Sequence, residues 1–234
     1  MCVRYTLHQT DAALDAISKA LGVLLGTPDW ASPRFNVALT NTMPVVAFVE
    51  NSPVVRPMRW GLVTYGERSS ASPRLLANAR SETAAKMPAF RKGIAGRRCL
   101  VPANGFYEWK ASGGVKWPHL FTLADEEPFA FAGIWDPAGD GLPETYCILT
   151  TEPNELVARV HTRMPVIMTP ETMPQWLGDR PLEEDELKRL VRPIDAGRMA
   201  CRPVSRFVSN SRNEGPGCLA PPGEARPEPE LDFG

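Results

Sequence analysis

Apolar and polar residues alternate in short runs along most of the chain, and this pattern predicts more strands than helices. One helix is predicted from Thr10 to Leu24, where leucine and isoleucine recur at helical spacing and Thr10 suits the capping position. Two further helices are predicted at Thr151–Val160 and Leu182–Val191, the first with Pro153 in its opening turn.

Strands are predicted where β-branched and aromatic residues form short runs between turn residues. The eight runs are Val45–Val49, Val54–Trp60, Cys99–Val101, Phe106–Lys110, Leu120–Leu123, Phe129–Trp135, Tyr146–Thr150 and Val166–Met168. Strands outnumber helices and do not alternate with them. The pattern therefore predicts an α+β fold, a single domain in which helices flank a mainly antiparallel, barrel-like sheet.

Composition sets the size of this domain and its surroundings. The chain has 234 residues, 43% of them hydrophobic, which suits one domain that we place at residues 1–219. Residues 220–234 are rich in proline and acidic residues, and we expect them to be disordered. No run is long and apolar enough to span a membrane and no signal peptide precedes the domain, so we expect a cytoplasmic monomer, or a nuclear one in a eukaryote.

The cysteines and histidines do not predict a metal site. Five cysteines lack paired spacing, and the three histidines, His8, His119 and His161, are not near paired cysteines. We therefore expect neither disulfides nor a metal, and nothing in the sequence requires a cofactor.

Charge is balanced overall but uneven along the chain. The net charge is −1, so nothing global indicates nucleic acid. The segment from Arg80 to Lys110 nevertheless carries seven basic residues and two acidic ones. Such an excess indicates either a surface that faces phosphates or an ordinary solvated basic face.

Cys2 is the most informative residue for chemistry. Removal of Met1 would leave an α-amine and a thiol on adjacent carbons, with pKa values of about 7.7–8.0 and about 8.5 in unperturbed peptides. Such an aminothiol condenses with an aldehyde to an imine, and the thiol then closes a five-membered thiazolidine. This second step is intramolecular, which raises its effective concentration.

Three other residues are candidates for acid–base chemistry or substrate binding. Asn78 opens a dense polar stretch, and Glu108 lies between aromatic residues, on the strand face opposite Tyr107 and Trp109. His161 follows the helix predicted to end at Val160, and a helix C-terminus stabilises the imidazolium, which suits a general acid. We expect Glu108 to stay ionised unless burial raises its pKa. Each residue also has an ordinary structural explanation: Asn78 as a turn former, Glu108 as a surface strand residue and His161 as a helix cap.

Eight ordered blocks of sequence resemble the SOS-response-associated peptidase (SRAP) family, from Cys2 to about residue 220. The blocks are Cys2 with Arg4, RFNVALT (34–40), MRWGLV (58–63), NARSET (78–83), RRCLVPANGFYEWK (97–110), PFAFAGIWD (128–136), LTTEPNELVARVHTRMPVIM (149–168) and PVSRFVSN (203–210).

The resemblance implies a protein that binds single-stranded DNA and cross-links covalently to abasic sites. Cys2 resembles the nucleophile of the family and Asn78 the asparagine that hydrogen-bonds the opened sugar. Glu108 resembles the carboxylate that positions the amine and assists proton transfer. His161 resembles the acid–base residue that promotes sugar ring opening. The positions that resemble the DNA-contacting residues of the family are Arg4, Asn36, Arg80 and Arg163.

The chain also departs from the family pattern. Val3 replaces the usual glycine, Leu39 replaces a usual proline, and Thr162 replaces a usual aspartate beside His161. The loop at 63–68 lacks the proline and the tryptophan that stacks beside the lesion. These departures concern the surface that wedges between bases and the pKa of His161.

Three alternative functions remain open from the residues. The first is a cysteine peptidase that uses Cys2 with His161 as base and removes its own N-terminal residue. The second is an N-terminal-nucleophile amidotransferase, although Val3 and Arg4 do not match the start expected for that class. The third is a non-catalytic DNA-binding module in which Cys2 is incidental.

Overall fold

Two large β-sheets form the body of the protein, described by a computed structural model over residues 3–63, 74–178 and 180–223. The strands are β1 (Tyr5–Leu7), β2 (Arg34–Val37), β3 (Thr42–Val49), β4 (Ser52–Trp60), β5 (Leu62–Val63), β6 (Leu75–Leu76), β7 (Asn78–Arg80), β8 (Arg98–Ala103), β9 (Gly105–Ser112), β10 (Val115–Leu123), β11 (Phe129–Asp136), β12 (Thr145–Thr151), β13 (Met164–Pro165), β14 (Ile167–Met168) and β15 (Met199–Pro203). The helices are α1 (Thr10–Leu21), α2 (Ser81–Ala84), α3 (Arg91–Gly96), α4 (Met173–Trp176) and α5 (Glu184–Leu190).

The first sheet is antiparallel, with strand order β15-β10-β9-β1-β2. The second has the order β13-β12-β4-β3-β8-β11-β14, with β7 beside β12. Because β12 also pairs with β11, five strands of the second sheet return on themselves as a ring. The closing β12–β4 contact is parallel and only two residue pairs long, Thr145 with Arg59 and Tyr146 with Trp60. The predicted α+β class and mainly antiparallel pairing are confirmed, with a ring-like sheet in place of a strict barrel.

The two sheets share an aromatic core. Tyr5 of the first sheet contacts Trp60 and Phe131 of the second edge to face, at ring-centroid distances of 5.3 and 5.7 Å. Its hydroxyl lies 2.8 Å from that of Tyr146. Each such aromatic pair contributes about 0.5–1.5 kcal/mol beyond the area it buries. These contacts fix β1, and with it the start of the described chain, against the second sheet.

The helix predicted from Thr10 to Leu24 exists but is shorter. It ends at Leu21 because Gly22 takes the left-handed conformation, with a φ of 66°, that terminates helices. Leu24, expected on the buried face, is 94% exposed. The predicted cap is also wrong, since the N-cap position falls on Gln9.

The helix predicted at Thr151–Val160 is wrong. Strand β12 continues through Thr151, and only a 3-10 turn at Val157–Arg159 follows. The Asn154 side chain accepts a hydrogen bond from the Val157 N–H at 3.0 Å and donates one to the Ile194 carbonyl at 3.0 Å. The first of these is the hydrogen bond of a helix N-cap, so Asn154 begins the short turn that follows β12. The third predicted helix is confirmed as α5.

All eight predicted strands are present. The run Val166–Met168 corresponds to β14, and Val166 itself lies between β13 and β14. The pattern missed short strands that contain polar residues, among them β1, β2, β7 and β15. Of the predicted tail, residues 224–234 lie outside the described residues.

The basic segment from Arg80 to Lys110 does not form one phosphate-facing surface. Arg98 is 1% exposed, and its guanidinium forms hydrogen bonds inside the protein. It donates to the carbonyl oxygens of Ile94, Ala95, Trp176, Gly178 and Arg180. Arg97 is paired with Asp136, whose carboxylate is nearly buried. Both arginines therefore stabilise the fold around α3 and α4.

Gly105 is a position where the fold tolerates no side chain. An added Cβ would lie 2.6 Å from the Phe121 carbonyl oxygen and 3.0 Å from a Leu120 methyl. We predict that Gly105→Ala lowers the free energy of unfolding by about 1–3 kcal/mol, measured by urea denaturation. Gly26→Ala is the control, because a Cβ there meets nothing within 4 Å. Equal stability of the two variants would contradict this packing.

Candidate active site

Glu108 is a buried carboxylate on β9. Its neighbour across the sheet is His119 of β10, and its side chain is only 5% exposed. The Oε1 atom is buried and has no hydrogen-bond partner among the described residues. Burial raises the pKa of the Glu108 carboxyl from 4.5 to about 7, although a hydrogen bond from the Trp109 backbone acts in the opposite direction. Glu108 therefore keeps its proton to a higher pH than an exposed glutamate does.

His161 lies beside Glu108, in the loop that precedes β13 of the second sheet. Its Nδ1 is 3.8 Å from Glu108 Oε1, which is too far for a hydrogen bond. Burial lowers the pKa of His161 below 6.5, although a hydrogen bond to the Arg163 backbone raises it. The expectation of a helix-stabilised imidazolium is thus corrected, because the expected α-helix is a 3-10 turn and desolvation disfavours the charge.

The backbone of Arg163 holds the His161 ring in either protonation state. The Arg163 N–H donates to Nδ1 at 3.1 Å when that nitrogen is unprotonated, and the Arg163 carbonyl lies 3.1 Å away to accept its proton when it is protonated. The ring can therefore gain and lose a proton without turning. Glu108 and His161 can each take part in proton transfer near neutral pH, and the higher pKa of Glu108 makes its carboxyl the better candidate proton donor.

Arg163 itself is engaged by protein groups. Its guanidinium forms a two-pronged ion pair with Glu82, at 2.6 and 2.9 Å, and also donates to the Thr150 carbonyl at 2.6 Å. The sequence analysis assigned no role to Glu82, because it lies 81 residues from Arg163 and only the fold brings the two together. A DNA phosphate that reached Arg163 would have to share it with Glu82 or displace that carboxylate.

Asn78 and Arg80 lie on β7, which runs parallel to β12. Asn78 is opposite Ile148, and Arg80 is opposite Thr150, the residue whose carbonyl holds Arg163. Asn78 is half-buried, whereas Arg80 is exposed at the end of the strand. The structure therefore brings Arg80, Arg163 and His161 to one end of the second sheet.

Arg4 and Asn36 form a buried cluster on the first sheet. Arg4 donates to the Asn36 side-chain oxygen at 2.9 Å, and its guanidinium lies 5.9 Å from the centre of the Trp109 ring. The Asn36 amide is fully buried and donates to the carbonyls of Val208, Asn210 and Asn213. This arrangement fastens the 208–213 segment against the sheet, and it favours an indirect role for Asn36 in any contact with DNA.

Cys2 and the loop beyond Val63 lie outside the described residues. The described chain begins at Val3, and the carbonyl of Arg4 accepts a hydrogen bond from the Tyr107 N–H at 3.0 Å. Of the other departures from the family pattern, Leu39 packs against the core and Thr162 is exposed.

Over residues 3–63, 74–178 and 180–223, no group of three or more His, Cys, Asp or Glu side chains is placed to hold a metal ion. In the same part of the chain, no helix has the length and apolar character needed to cross a bilayer.

The chain is similar in sequence to proteins of known family. The Abasic site processing protein YoqW from Bacillus subtilis is 34% identical over 222 residues, which cover 92% of this chain and 97% of that protein. The Abasic site processing protein HMCES from Gallus gallus is 34% identical over 195 residues, covering 72% of this chain and 57% of that protein.

The fold also matches solved structures. A Bacteroides thetaiotaomicron protein superposes with a TM-score of 0.79 at 26% identity, covering 94% of this chain and 99% of that one. The family model described as SOS response associated peptidase (SRAP) matches residues 1–211. With most of its length matched in this way, the chain belongs to the SOS response associated peptidase family.

Proposed function

We propose that the protein binds single-stranded DNA and captures abasic sites by a covalent thiazolidine link to Cys2, after removal of Met1. The names of the curated relatives support abasic-site processing as the general function. The observation that carries the proposal is the buried Glu108 carboxyl beside His161, next to the strand that leads to the N-terminus.

The register of β1 supports the placement of Cys2. Tyr5 pairs with Phe106, and the next residue outward, Arg4, is hydrogen-bonded to Tyr107. Continued by one residue, this antiparallel register brings Val3 opposite Glu108. Consecutive Cα atoms are about 3.8 Å apart, so we propose that the residue before Val3 acts within reach of that carboxyl.

The proposed reaction has three steps. The closed sugar opens first. The anomeric hydroxyl loses its proton and its C1–O bond becomes the C=O of an aldehyde, while the bond from C1 to the ring oxygen breaks and that oxygen takes up a proton. The Cys2 amine then adds to the aldehyde carbon and expels its oxygen as water, which gives an imine. The thiol finally adds to the same carbon and its proton passes to nitrogen. The net change is aldehyde plus aminothiol to thiazolidine plus water.

The two titrating groups divide the proton transfers. Protonated Glu108 supplies the proton that lets the oxygen leave as water, and neutral His161 accepts a proton during sugar opening. General acid–base help of this kind contributes about 10²–10⁴-fold. The product carbon is saturated and is no longer an electron sink, so β-elimination is blocked and the DNA strand stays intact.

The DNA-contacting residues are proposed to act at two levels. Arg80 is exposed and meets a phosphate directly, and Arg163 does so in competition with Glu82. Asn78 is proposed to hydrogen-bond the opened sugar. Arg4 and Asn36 support the site from within, since both are bonded to protein groups around Val208.

The peptidase alternative uses the same Cys2 and His161 but requires an acyl intermediate with a peptide. Such a peptidase activity would include removal of the protein's own N-terminal residue. A DNA adduct separates the two chemistries, because a peptidase has no reason to form one.

The direct test is the intact mass of the purified protein with and without a single-stranded abasic oligonucleotide. We predict a chain short by one methionine that gains the mass of the oligonucleotide minus one water and survives heating without borohydride. Cys2→Ser keeps the amine but loses the thiazolidine, so it should give a labile adduct and more strand cleavage.

The matched control is Cys201→Ser, which removes a half-buried thiol from β15, away from the N-terminus. It should cross-link like the wild type. Retention of Met1 in fully active protein would rule out the aminothiol mechanism, and a heat-stable adduct of Cys2→Ser equal to that of the wild type would rule out ring closure by sulfur.

Burial of Glu108 also predicts a pH dependence of stability. Because its folded-state pKa is raised to about 7 from 4.5, the folded protein binds the proton more tightly than the unfolded chain does. The stabilisation is complete below pH 4.5 and is lost as pH rises through 7. Relative to Glu108→Gln, the wild type should therefore become less stable across this window, measured by urea denaturation at a series of pH values.

The surface variant Glu155→Gln, at an exposed position, serves as the control and should parallel the wild type. A constant stability difference between wild type and Glu108→Gln from pH 4.5 to 7 would contradict the raised pKa.

A further inference from the structure

Trp117 is an exposed tryptophan on the same sheet face as Glu108. Residues directly opposite each other in an antiparallel pair share a face, and β9 pairs with β10 so that Glu108 faces His119 and Lys110 faces Trp117. From the core outward, this face carries the stacked rings of Phe106 and Phe121, then the Glu108 pair, then the Lys110 pair.

The exposure of Trp117 has no explanation in the packing of the fold. Its side chain belongs to none of the buried clusters and is 40% exposed, whereas its neighbours Pro118 and Leu120 point to the opposite face and are buried. Single exposed apolar residues are common on protein surfaces. The location, one residue pair beyond the proposed catalytic carboxyl, is what sets this one apart.

Two positive charges lie beside the Trp117 ring. The Arg206 guanidinium lies 6.0 Å from its centroid, and Lys110 is directly opposite on the neighbouring strand. From Trp109 to His119 the chain has two lysines and no acidic residue. An aromatic ring among cations is the combination that single-stranded nucleic acid uses, since bases stack on the ring and phosphates meet the charges.

The distance between Trp117 and Glu108 suits two neighbouring nucleotides. Diagonal neighbours on one face of a sheet are about 7–8 Å apart, which is the relation of Trp117 to Glu108. A sugar held at Glu108 therefore leaves the adjoining nucleotide within reach of the Trp117 ring.

We propose that Trp117, with Lys110 and Arg206, forms a subsite that stacks the base of the nucleotide adjacent to the abasic site. The inference rests on the proposed function and adds the recognition of one neighbouring base. Stacking is tolerant of sequence because every base has a flat face, so the subsite should accept all four bases.

The test uses single-stranded oligonucleotides with a tetrahydrofuran residue at the lesion, which lacks the anomeric hydroxyl and cannot open to an aldehyde. The nucleotide on one side or the other either carries its base or is a second tetrahydrofuran. Dissociation constants are measured by fluorescence anisotropy at fixed salt. For the wild type, loss of the neighbouring base on one side should weaken binding about 5- to 100-fold.

Trp117→Ala should bind both oligonucleotides at the weaker level, and Trp117→Phe, which keeps a ring, should restore most of the dependence on the base. Trp30→Ala, which removes another exposed tryptophan (47% exposed), is the matched control and should behave like the wild type. The same dependence on the base in Trp117→Ala as in the wild type would overturn the subsite.

A cross-linking assay with a true abasic oligonucleotide tests the Trp117 subsite and the covalent capture separately. Wild-type protein that cross-links but binds without regard to the neighbouring base contradicts the subsite alone. Base-dependent binding that requires Trp117, in a protein that forms no adduct, supports the subsite and removes the covalent chemistry.

Discussion

The burial of one carboxyl group, Glu108, at the meeting of two sheets is the constraint on which the site depends. An isolated carboxylate in a buried place is costly unless it is paired or protonated. The protein gives Oε1 no hydrogen-bond partner among the described residues and raises its pKa to about 7. Glu108 is therefore kept as a proton source at neutral pH, and His161, 3.8 Å away, is kept mainly neutral by the same loss of water.

The surrounding contacts hold these two groups in place from opposite sides. On the first sheet, the pairing of β9 with β1 and β10 fixes Glu108, and Gly105 allows the strands to approach closely. On the second sheet, Glu82 and the Thr150 carbonyl hold Arg163, whose backbone orients His161. The aromatic contacts of Tyr5 join the two sheets, so the core fixes the strand of Glu108 relative to the sheet that leads to His161.

The sequence predicted the strands and the candidate residues better than it predicted their electrostatic state. The strands of the core are marked by apolar, β-branched runs, but β1 and β7 are three residues long and contain polar side chains, so no periodicity marks them. The helix predicted before His161 is absent because β12 continues through Thr151, which leaves room only for a 3-10 turn that Asn154 caps. Ion pairs such as Arg163 with Glu82 join residues far apart in the chain and follow only from the fold. The same holds for pKa values, which depend on burial.

The most direct measurement is the pH profile of the single-turnover cross-linking rate for wild type, Glu108→Gln and His161→Ala. Capture needs an unprotonated Cys2 amine, with a pKa near 7.7–8.0, and a protonated Glu108. We predict a bell-shaped wild-type profile with its maximum between about pH 7 and 8, and a fall at higher pH, where Glu108 continues to lose its proton while the amine is already free. In Glu108→Gln the rate should drop about 10²–10⁴-fold and the alkaline fall should disappear, whereas His161→Ala should keep it. An alkaline limb that persists unchanged in Glu108→Gln would contradict the assignment of Glu108 as the proton donor.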